Sequence, residues 1–558
     1  MKKITPFALL LIVLTSAILA VFLYYPTLFI VQKAFFPIDH FSLEFFALVL
    51  KNATLLSAML NSFMLGTIVT LLCVIIAAPL AWISGRYRLR GEWLWNGWMM
   101  LPMILPPFVG AIGLRLFLSR FGTLNLILMK FGIIHEPIDW LASGFWGVVI
   151  LQTLHLFPII YLNLTAVLAN IDPSLEEAAH NLGARRTQLW RKIVLPLAAP
   201  GLFSGCAIVF IWSITDLGTP LILEYRSVVA YQIYSMINDI YENPLGYALV
   251  VCMLAWIALM YYATQHFLVT PHTHMNIRAA RATIKPVASK TIQIVGIGLF
   301  LLYGCAAVIP HAMVIISSIA DKWFITIFPE HVTAGFYQSL SNNPLTVSSM
   351  RNSIFLSAVA TMIDIVLGLA GAYVVARYRF FGRRLLDFSL MLPLALPGLI
   401  LAFGYVGTFA GTPLDPRQNP FPLLIIAYSI RRLPFMVRSI DAGLRQLDVS
   451  LEESAANLGS SSFKTIRRIT MPLVSPNILA GGMLVFAFAM LEVSDSMILA
   501  MKENYYPLTK AIYMLVNRIA DGFGLASALG VIAMVLLGGS LIVAGRILGK
   551  KMGELFRM

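Results

Sequence analysis

The stretch LEEAAHNLGARRTQLWRKIVLPLAAPG at 175–201 occurs a second time as LEESAANLGSSSFKTIRRITMPLVSPN at 451–477. We call these stretches the first and the second repeated segment. They align without a gap at a constant offset of 276 residues, so that Gly183 matches Gly459. Because such self-similarity indicates that a structural unit has been duplicated, the repeated segments decide how the rest of the chain is divided.

Apolar runs flank both repeated segments. The chain has 558 residues, a mean hydropathy of +0.83 and only 12% charged residues, against roughly 25% in soluble domains. Runs of about 20 apolar residues can cross a hydrocarbon core of roughly 30 Å, and in lipid they must be helices. We therefore predict an all-α membrane protein. Twelve spans are expected, with eleven to thirteen open: 7–32, 55–83, 93–118, 146–169, 200–223, 246–269, 291–319, 352–376, 385–410, 421–440, 477–500 and 527–548.

Shorter matches upstream of the repeated segments extend the duplication. RYRLRG at 86 matches RYRFFG at 377, and LPMILPP at 101 matches LPLALPG at 392, now at an offset of 291. The first copy therefore carries about 15 extra residues, which we place within 119–142. The prolines of LPMILPP and LPLALPG predict broken helices at these positions.

The repeats predict two homologous units of six spans in parallel orientation, related by a pseudo-twofold axis along the membrane normal. The first sequence unit is 1–270, the second is 291–558, and a cytoplasmic linker at 271–290 joins them. The N-terminal apolar run resembles a secretory signal but continues through VFLYYPTLFIV, so we expect an uncleaved first helix.

Lysine and arginine concentrate in alternate loops, which predicts the orientation. With Lys2 and Lys3 in the cytoplasm, both termini and both repeated segments are cytoplasmic. The formal net charge of +14 then reflects this bias and the attraction to anionic lipid. We expect the lipid bilayer, and no nucleic acid, to be the partner of these basic residues.

The first repeated segment reads as a short helix that begins near Pro173 and ends at Gly183, followed by a second short amphipathic helix that Pro196 ends. This helix, turn and helix would fit a groove on a cytosolic partner. The alternative is a pair of interfacial helices that only supports the membrane bundle.

The spacing of Glu-Ala-Ala, three residues, glycine, nine residues and Ile-x-Leu-Pro resembles the EAA loop of the permeases of ABC importers. In that family the loop contacts the ATPase subunit. The resemblance assigns ATPase coupling to Glu177, Ala178, Ala179, Gly183, Ile193, Leu195 and Pro196, and to Glu453, Ser454, Ala455, Gly459, Ile469, Met471 and Pro472. The second copy departs from the pattern at Ser454 and Met471, both conservative in size.

The resemblance implies a fused permease of the type I, binding-protein-dependent importers in the bacterial inner membrane. The sequence lacks the GxxxxGK[ST] loop that holds nucleotide phosphates, so ATP and Mg²⁺ are expected on a separate subunit. This chain itself would hold no cofactor and have no catalytic residues. Two repeated segments imply two copies of a cytosolic ATPase. A periplasmic or extracellular substrate-binding protein would land on the external stretches 223–246, 320–351 and 501–526.

The stretches TDLGTPLIL at 215–223 and LEVSDSMIL at 491–499 resemble the ferric-iron group of these permeases. Ferric iron is therefore the expected cargo. Related permeases serve aminoethylphosphonate, thiamine, sugar phosphates and polyamines, and these cargoes stay open.

Ionisable residues within predicted spans are candidates for the translocation path, because burying charge in a membrane is costly. Asp216 and Glu492 are equivalent, and Asp495 lies one turn from Glu492; these carboxylates suit a cation. The alternative is that they cap helix ends or pair with arginines.

The arginines Arg115, Arg431 and Arg432 either meet an anionic cargo or form those pairs. His155 is expected to be a hydrogen-bonded packing residue. The four cysteines lack metal-ligand spacing, and no metal site is expected.

Two rival classes remain. A secondary transporter of twelve spans also has two halves of six helices, but it leaves the repeated segments unexplained. A membrane-embedded enzyme would need a nucleophile constellation or an HExxH motif, and the sequence contains no HExxH.

Overall fold

The computed structural model describes residues 4–37, 40–141, 144–240, 243–268, 285–321, 323–518 and 521–548. In these ranges the regular structure is helical, apart from isolated bridge residues such as the pair Arg88 and Val287. The predicted class, an all-α membrane protein, is confirmed.

The longer helices recur in the same order in both halves of the chain. In the first half they are α1 (Pro6–Phe35), α2 (Ala53–Arg86), α3 (Glu92–Ile104), α4 (Pro107–Leu118), α5 (Phe145–Ala169), α6 (Leu195–Thr215) and α7 (Leu245–Leu268). In the second half they are α8 (Lys290–Ser318), α9 (Pro344–Arg377), α10 (Arg383–Met391), α11 (Gly398–Thr408), α12 (Pro420–Gln446), α13 (Ser475–Met490) and α14 (Gly522–Leu548).

Within the described ranges, nine helices are long and apolar enough to cross a membrane, or eleven if each of two bent pairs is one span. The shorter apolar helix Leu245–Met260 accounts for the difference from the twelve predicted runs. The runs 200–223 and 477–500 each contain a break, after Thr215 and Met490 respectively, and a short helix follows.

The proline-rich matches are breaks, as predicted. Helix α3 ends at Ile104 and α4 begins at Pro107, and Arg383–Leu394 meets Gly398–Thr408 at an angle of 102°. Pro106 has no N–H to donate to the carbonyl of Pro102. His155 supplies the missing hydrogen bond, with its Nδ1 2.6 Å from the Pro102 oxygen, so this histidine is the hydrogen-bonded packing residue that we expected.

The chain folds into two compact units. Unit A comprises the described residues within Met1–Val49, Ile233–Val250 and Val332–Phe556, and unit B comprises those within Leu50–Gln232 and Val251–His331. The first helix of each repeat thus belongs to the compact unit that the other repeat forms. The compact units therefore differ from the sequence units 1–270 and 291–558.

Close packing explains why the first helix of each repeat, α1 or α8, belongs to the unit formed by the other repeat. In unit A, α1 lies against α11: the Tyr405 hydroxyl donates to the Phe22 carbonyl at 2.7 Å, and a Cβ on Gly404 would lie 3.1 Å from the Pro26 oxygen. In unit B, α8 lies against α4, where His311 Nε2 is 3.2 Å from the Pro106 oxygen.

The predicted linker at 271–290 lies mostly outside the described residues. Its described end is attached to unit B. Lys285 Nζ is 2.7 Å from both the Ser84 carbonyl oxygen and Glu92 Oε1, and Arg88 N–H donates to the Pro286 carbonyl at 2.9 Å.

The 15 extra residues of the first repeat lie between α4 and α5, inside the predicted range 119–142. Asn125 organises this loop. Its amide nitrogen donates to the Ile138 carbonyl at 2.6 Å, and its amide oxygen accepts from the Trp140 indole at 2.8 Å. Because Asn125 is almost fully buried, these bonds hold the loop in one conformation.

Replacing Asn125 with alanine should therefore loosen the loop. The change leaves several buried groups without partners, at a cost of about 3 kcal/mol. Limited proteolysis of the purified chain is expected to cut within 119–142 in Asn125→Ala at least tenfold faster than in the wild type. The exposed Asn181→Ala serves as the control. Equal cleavage rates in Asn125→Ala and the wild type would contradict this role.

Candidate functional site

The first repeated segment begins with a capped helix, Pro173–Asn181. The side chain of Asp172 accepts from the Ser174 N–H at 2.9 Å, and this bond lowers the pKa of Asp172. The helix ends in a turn through Gly183, whose φ is +79°. The Gly183 N–H bonds to the His180 carbonyl and the Ala184 N–H to the Ala179 carbonyl, a Schellman motif.

The second repeated segment repeats this construction. Asp448 caps the helix Val449–Asn457 through the Ser450 N–H, which lowers the pKa of Asp448. Gly459 has the same φ of +79°. The Gly459 and Ser460 N–H groups close the same two hydrogen bonds at 2.9 and 3.0 Å. The predicted helix and glycine turn are present in both copies.

The predicted stop at the proline is wrong. In the first repeated segment a π-turn, Trp190–Val194, carries the helix past Pro196, which lies in the first turn of α6. A π-turn leaves room for a residue without an N–H. In the second repeated segment the same π-turn at Ile466–Thr470 is followed by a bend of 75° before α13.

The predicted coupling residues divide into an exposed and a buried set. Ala179 and Ala455 are buried against their own units. The exposed residues are Glu177, Ala178, Gly183, Leu195 and Pro196 in the first copy, and Glu453, Ser454, Gly459, Met471 and Pro472 in the second. Ile193 and Ile469 are half-buried.

A leucine projects from each turn. Leu182 and Leu458, which precede the two glycines, are both 88% exposed. A large apolar side chain is thus exposed at the same position of both copies. Sequence reasoning missed these leucines because the resemblance drew attention to the Glu-Ala-Ala residues.

Sequence reasoning also missed the attachment of each segment to its unit. Glu176 forms an ion pair with Arg86 at the end of α2, and Glu452 forms one with Arg377 at the end of α9. The signal was available: both copies contain a Glu-Glu pair, and both RYR matches begin with the arginine. The first glutamate of each pair turns inward, while the second is exposed.

In unit A the structure brings four of the predicted path residues together. Arg431 Nη1 lies 2.5 Å from Glu492 Oε1 and 3.3 Å from Asp495 Oδ2. Arg432 contacts the other oxygen of Glu492 and donates to the Phe488 carbonyl at 3.2 Å. Two arginines and two carboxylates balance their formal charges at the break after α13.

Asp364 extends this cluster, although the sequence analysis did not select it. It is fully buried in α9 and accepts from the Ser429 hydroxyl at 2.5 Å. Within the described residues its second oxygen has no hydrogen-bond partner. A single aspartate within the apolar run of a span was the signal for it.

Unit B has a less charged counterpart. Asp216 lies at the break after α6, where its carboxylate accepts from Gln152 Nε2 at 3.1 Å and from the Gly218 N–H at 3.0 Å. At the offset of 276, His155 replaces Arg431 and Thr219 replaces Asp495. Asp216 thus accepts from the first N–H of the short helix Gly218–Ile222, with Leu217 between them at the N-cap position.

Arg115 lies apart from the predicted carboxylates. It is near the end of α4, half-exposed, and pairs with Glu224 at 2.8 Å. Its nitrogen also donates to the Ile222 carbonyl at 3.4 Å. In the described part of the chain, His, Cys, Asp and Glu side chains form no group of three or more that could hold a metal ion.

A family model described as "Binding-protein-dependent transport system inner membrane component" matches the chain twice, at residues 77–269 and 364–554. The ferric transport system permease protein FbpB of Actinobacillus pleuropneumoniae is 30% identical over 535 residues, which cover 94% of this chain and 76% of that protein. A putative ferric transport system permease protein, FbpB 1 of Haemophilus influenzae, is 29% identical and covers 85% of this chain and 75% of its own length. The molybdate/tungstate transport system permease protein WtpB of Methanocaldococcus jannaschii is 30% identical over 213 residues, 37% of this chain and 84% of that protein.

The ion cluster of unit A predicts unequal effects of neutralising its carboxylates. Glu492→Gln leaves Arg431 and Arg432 with one carboxylate between them, and breaking a buried ion pair costs about 3–5 kcal/mol. Asp216→Asn keeps most of its hydrogen bonds and should cost about 1 kcal/mol. Thermal unfolding of the purified chain in detergent is expected to show the larger loss for Glu492→Gln. Equal losses for the two variants would contradict the pairing.

The effect of substituting a turn glycine should depend only on whether the new residue tolerates a positive φ. Nothing lies within 4 Å of a Cβ placed on Gly459, so only its positive φ restricts substitution. Asparagine tolerates this region, whereas a β-branched residue does not. Tryptic cleavage after the nearby Lys464 should rise several-fold in Gly459→Val and stay near the wild-type rate in Gly459→Asn. A rise of the same size in both variants would be the contrary result.

Proposed function

Because the chain belongs to the family of inner-membrane components of binding-protein-dependent transport systems, we propose that its two repeated segments couple the ATPases of an importer to the movement of ferric iron. The chain is a permease and not an enzyme. The observation that carries the proposal is the equal construction of the two segments. Each presents a leucine that is 88% exposed, Leu182 or Leu458, on a glycine turn with the same φ of +79°.

Docking uses the exposed side of each segment. A groove on a cytosolic ATPase receives the leucine, since burying an apolar side chain of this size stabilises a contact by about 2 kcal/mol. The adjacent carboxylates of Glu177 and Glu453 are exposed and available to basic residues of the ATPase. Two equivalent surfaces call for two ATPase copies, which bind ATP and Mg²⁺ and hydrolyse the nucleotide.

The segments are continuous with the helices that reach the charged breaks. From its turn, the first segment runs through the π-turn into α6, which ends beside Asp216. The second runs by way of a bend into α13, which ends beside Glu492. A displacement of either turn is therefore carried along one helix to a break, where the short helix that follows can change its orientation.

Ferric iron is the cargo that the relatives favour. The ferric transport permease of Actinobacillus pleuropneumoniae matches 94% of this chain, whereas the molybdate/tungstate permease matches 37%. Glu492 and Asp495 are already paired with Arg431 and Arg432, so they do not form a tight cation site. Such an arrangement suits passage, since transported ions must bind weakly enough to leave.

The remaining partners and the orientation follow from the same scheme. Both termini and both repeated segments face the cytoplasm, as the lysine and arginine bias favours. A substrate-binding protein delivers iron on the opposite side, on the stretches 223–246, 320–351 and 501–526. Aminoethylphosphonate, thiamine, sugar phosphates and polyamines are less favoured cargoes, because the two relatives quoted above that match 85% or more of this chain are both named as ferric transport permeases.

Removal of the two projecting leucines tests the docking. The double variant Leu182→Asp/Leu458→Asp should lose the ATPase subunit during detergent purification, because a carboxylate in an apolar groove is strongly unfavourable. The matched control Leu182→Met/Leu458→Met keeps an apolar side chain and should retain the ATPase. Uptake of radiolabelled ferric iron should fall at least tenfold only in the aspartate variant.

Membrane insertion should be the same in both variants, as measured by the amount of chain in the membrane fraction. Uphill uptake by the purified chain alone, without nucleotide, would favour a gradient-driven transporter and contradict the proposal.

A further inference from the structure

The first repeated segment is attached to unit B through a partly exposed ion pair. The side chains of Arg86 and Glu176 are 11% and 26% exposed. The Arg86 guanidinium also lies over the Trp82 ring at 5.3 Å, and Trp82 packs against Trp190 of the segment with ring centroids 4.4 Å apart. This attachment is mainly aromatic, with one ion pair whose contacting atoms, Arg86 Nη2 and Glu176 Oε1, are buried although the Glu176 side chain is partly exposed.

The second repeated segment is attached to unit A through a buried network. Glu452 is fully buried and lies 3.3 Å from Arg377 Nε. Its carboxylate also accepts from the Thr470 hydroxyl at 3.0 Å and from the Tyr373 hydroxyl at 3.4 Å. Arg377 in turn donates to the Leu444 carbonyl at 3.1 Å, so the network joins the segment to both α9 and α12.

The difference lies in the residues around the matched pair. At the offsets of the repeat, Trp82 replaces Tyr373, and Val194 replaces Thr470. The valine side chain has no polar hydrogen to donate. The first segment therefore lacks the counterpart of the bond from Thr470 to Glu452, which ties Glu452 to the π-turn of the second segment. A buried carboxylate held by several hydrogen bonds is fixed more firmly than a carboxylate held by one ion pair.

We propose that Glu452, Arg377, Thr470 and Tyr373 are positioning residues that make the second repeated segment a rigid lever, while the first segment is a compliant one. This inference rests on the proposed coupling of both segments to ATPases. Equal docking turns then receive equal displacements. The second segment passes its displacement to α9, α12 and α13, whereas the first segment absorbs part of it at the single Arg86–Glu176 ion pair.

The proposal assigns separate roles to the two glutamates of each Glu-Glu pair. The outer glutamates, Glu177 and Glu453, face the ATPase. The inner ones, Glu176 and Glu452, hold the segment on its membrane helices. A change at an inner glutamate should therefore alter the transmission of movement without removing the docking surface.

Hydrogen–deuterium exchange of the full chain in lipid nanodiscs tests the rigidity without partner or cargo. Backbone amides of 449–458 should exchange at least tenfold more slowly than those of 173–182. Thr470→Val removes one bond to Glu452 and introduces the residue type found at position 194. It should bring the exchange of 449–458 to within about threefold of that of 173–182. Equal exchange in the two wild-type segments would overturn the inference.

Transport per ATP hydrolysed tests the consequence in the complex with the ATPase and the iron-loaded binding protein. Thr470→Val and Glu452→Gln should lower the amount of radiolabelled ferric iron carried per ATP at least fivefold, with the ATPase still bound. The matched variant Glu176→Gln should lower it less than twofold. Thr470→Val keeps the inference testable if Glu452→Gln fails to fold.

The outcomes separate the two proposals. Equal loss in the matched variants at positions 176 and 452 would overturn the unequal levers and leave the coupling function standing. An ATPase that does not bind the wild-type chain would remove the coupling function, whereas the exchange difference between the segments would still be measurable.

Discussion

A bilayer offers no hydrogen-bond partner to a polar group, and every irregular feature of this permease depends on that constraint. Where a proline removes an N–H from a span, a side chain supplies the missing bond, as His155 does for the Pro102 carbonyl. Where a helix stops within the apolar region, a carboxylate caps the next helix or pairs with an arginine. Asp216 does the first and Glu492 the second. At these three places the chain provides polar partners beside the break.

Duplication produced two copies of one framework, and their chemistry differs according to position. The glycine turns are the same in capping, in backbone conformation and in the exposure of Leu182 and Leu458. If both turns dock on copies of one ATPase, each turn must fit the same groove, so the same shape is expected in both. Toward the membrane the copies diverge. Unit A contains two arginines beside Glu492, while unit B has Gln152 beside Asp216 and His155 at the position that matches Arg431. The cargo itself does not require the two units to carry the same polar residues.

Most of the fold could be predicted, and the errors have a common cause. Apolar runs locate spans because hydrophobic length is a local property, but a run such as 477–500 does not show where its helix breaks. Pro196 was expected to end a helix, yet the helix continues through a π-turn, Trp190–Val194, that accommodates a residue without an N–H. Glu176 and Glu452 were overlooked because their arginines lie about 75 residues or more away, and only folding brings each pair together.

The sequence by itself determined the helical class, the duplication, the glycine turns and the family. Each of these rests on periodicity, composition or motif spacing, which neighbouring residues carry. Only the tertiary structure decided that α1 packs with the second repeat and α8 with the first. It alone showed that Glu452 is buried in a network while Glu176 keeps contact with water. Burial and pairing are set by side chains distant in the chain, and a linear pattern does not specify which distant groups meet.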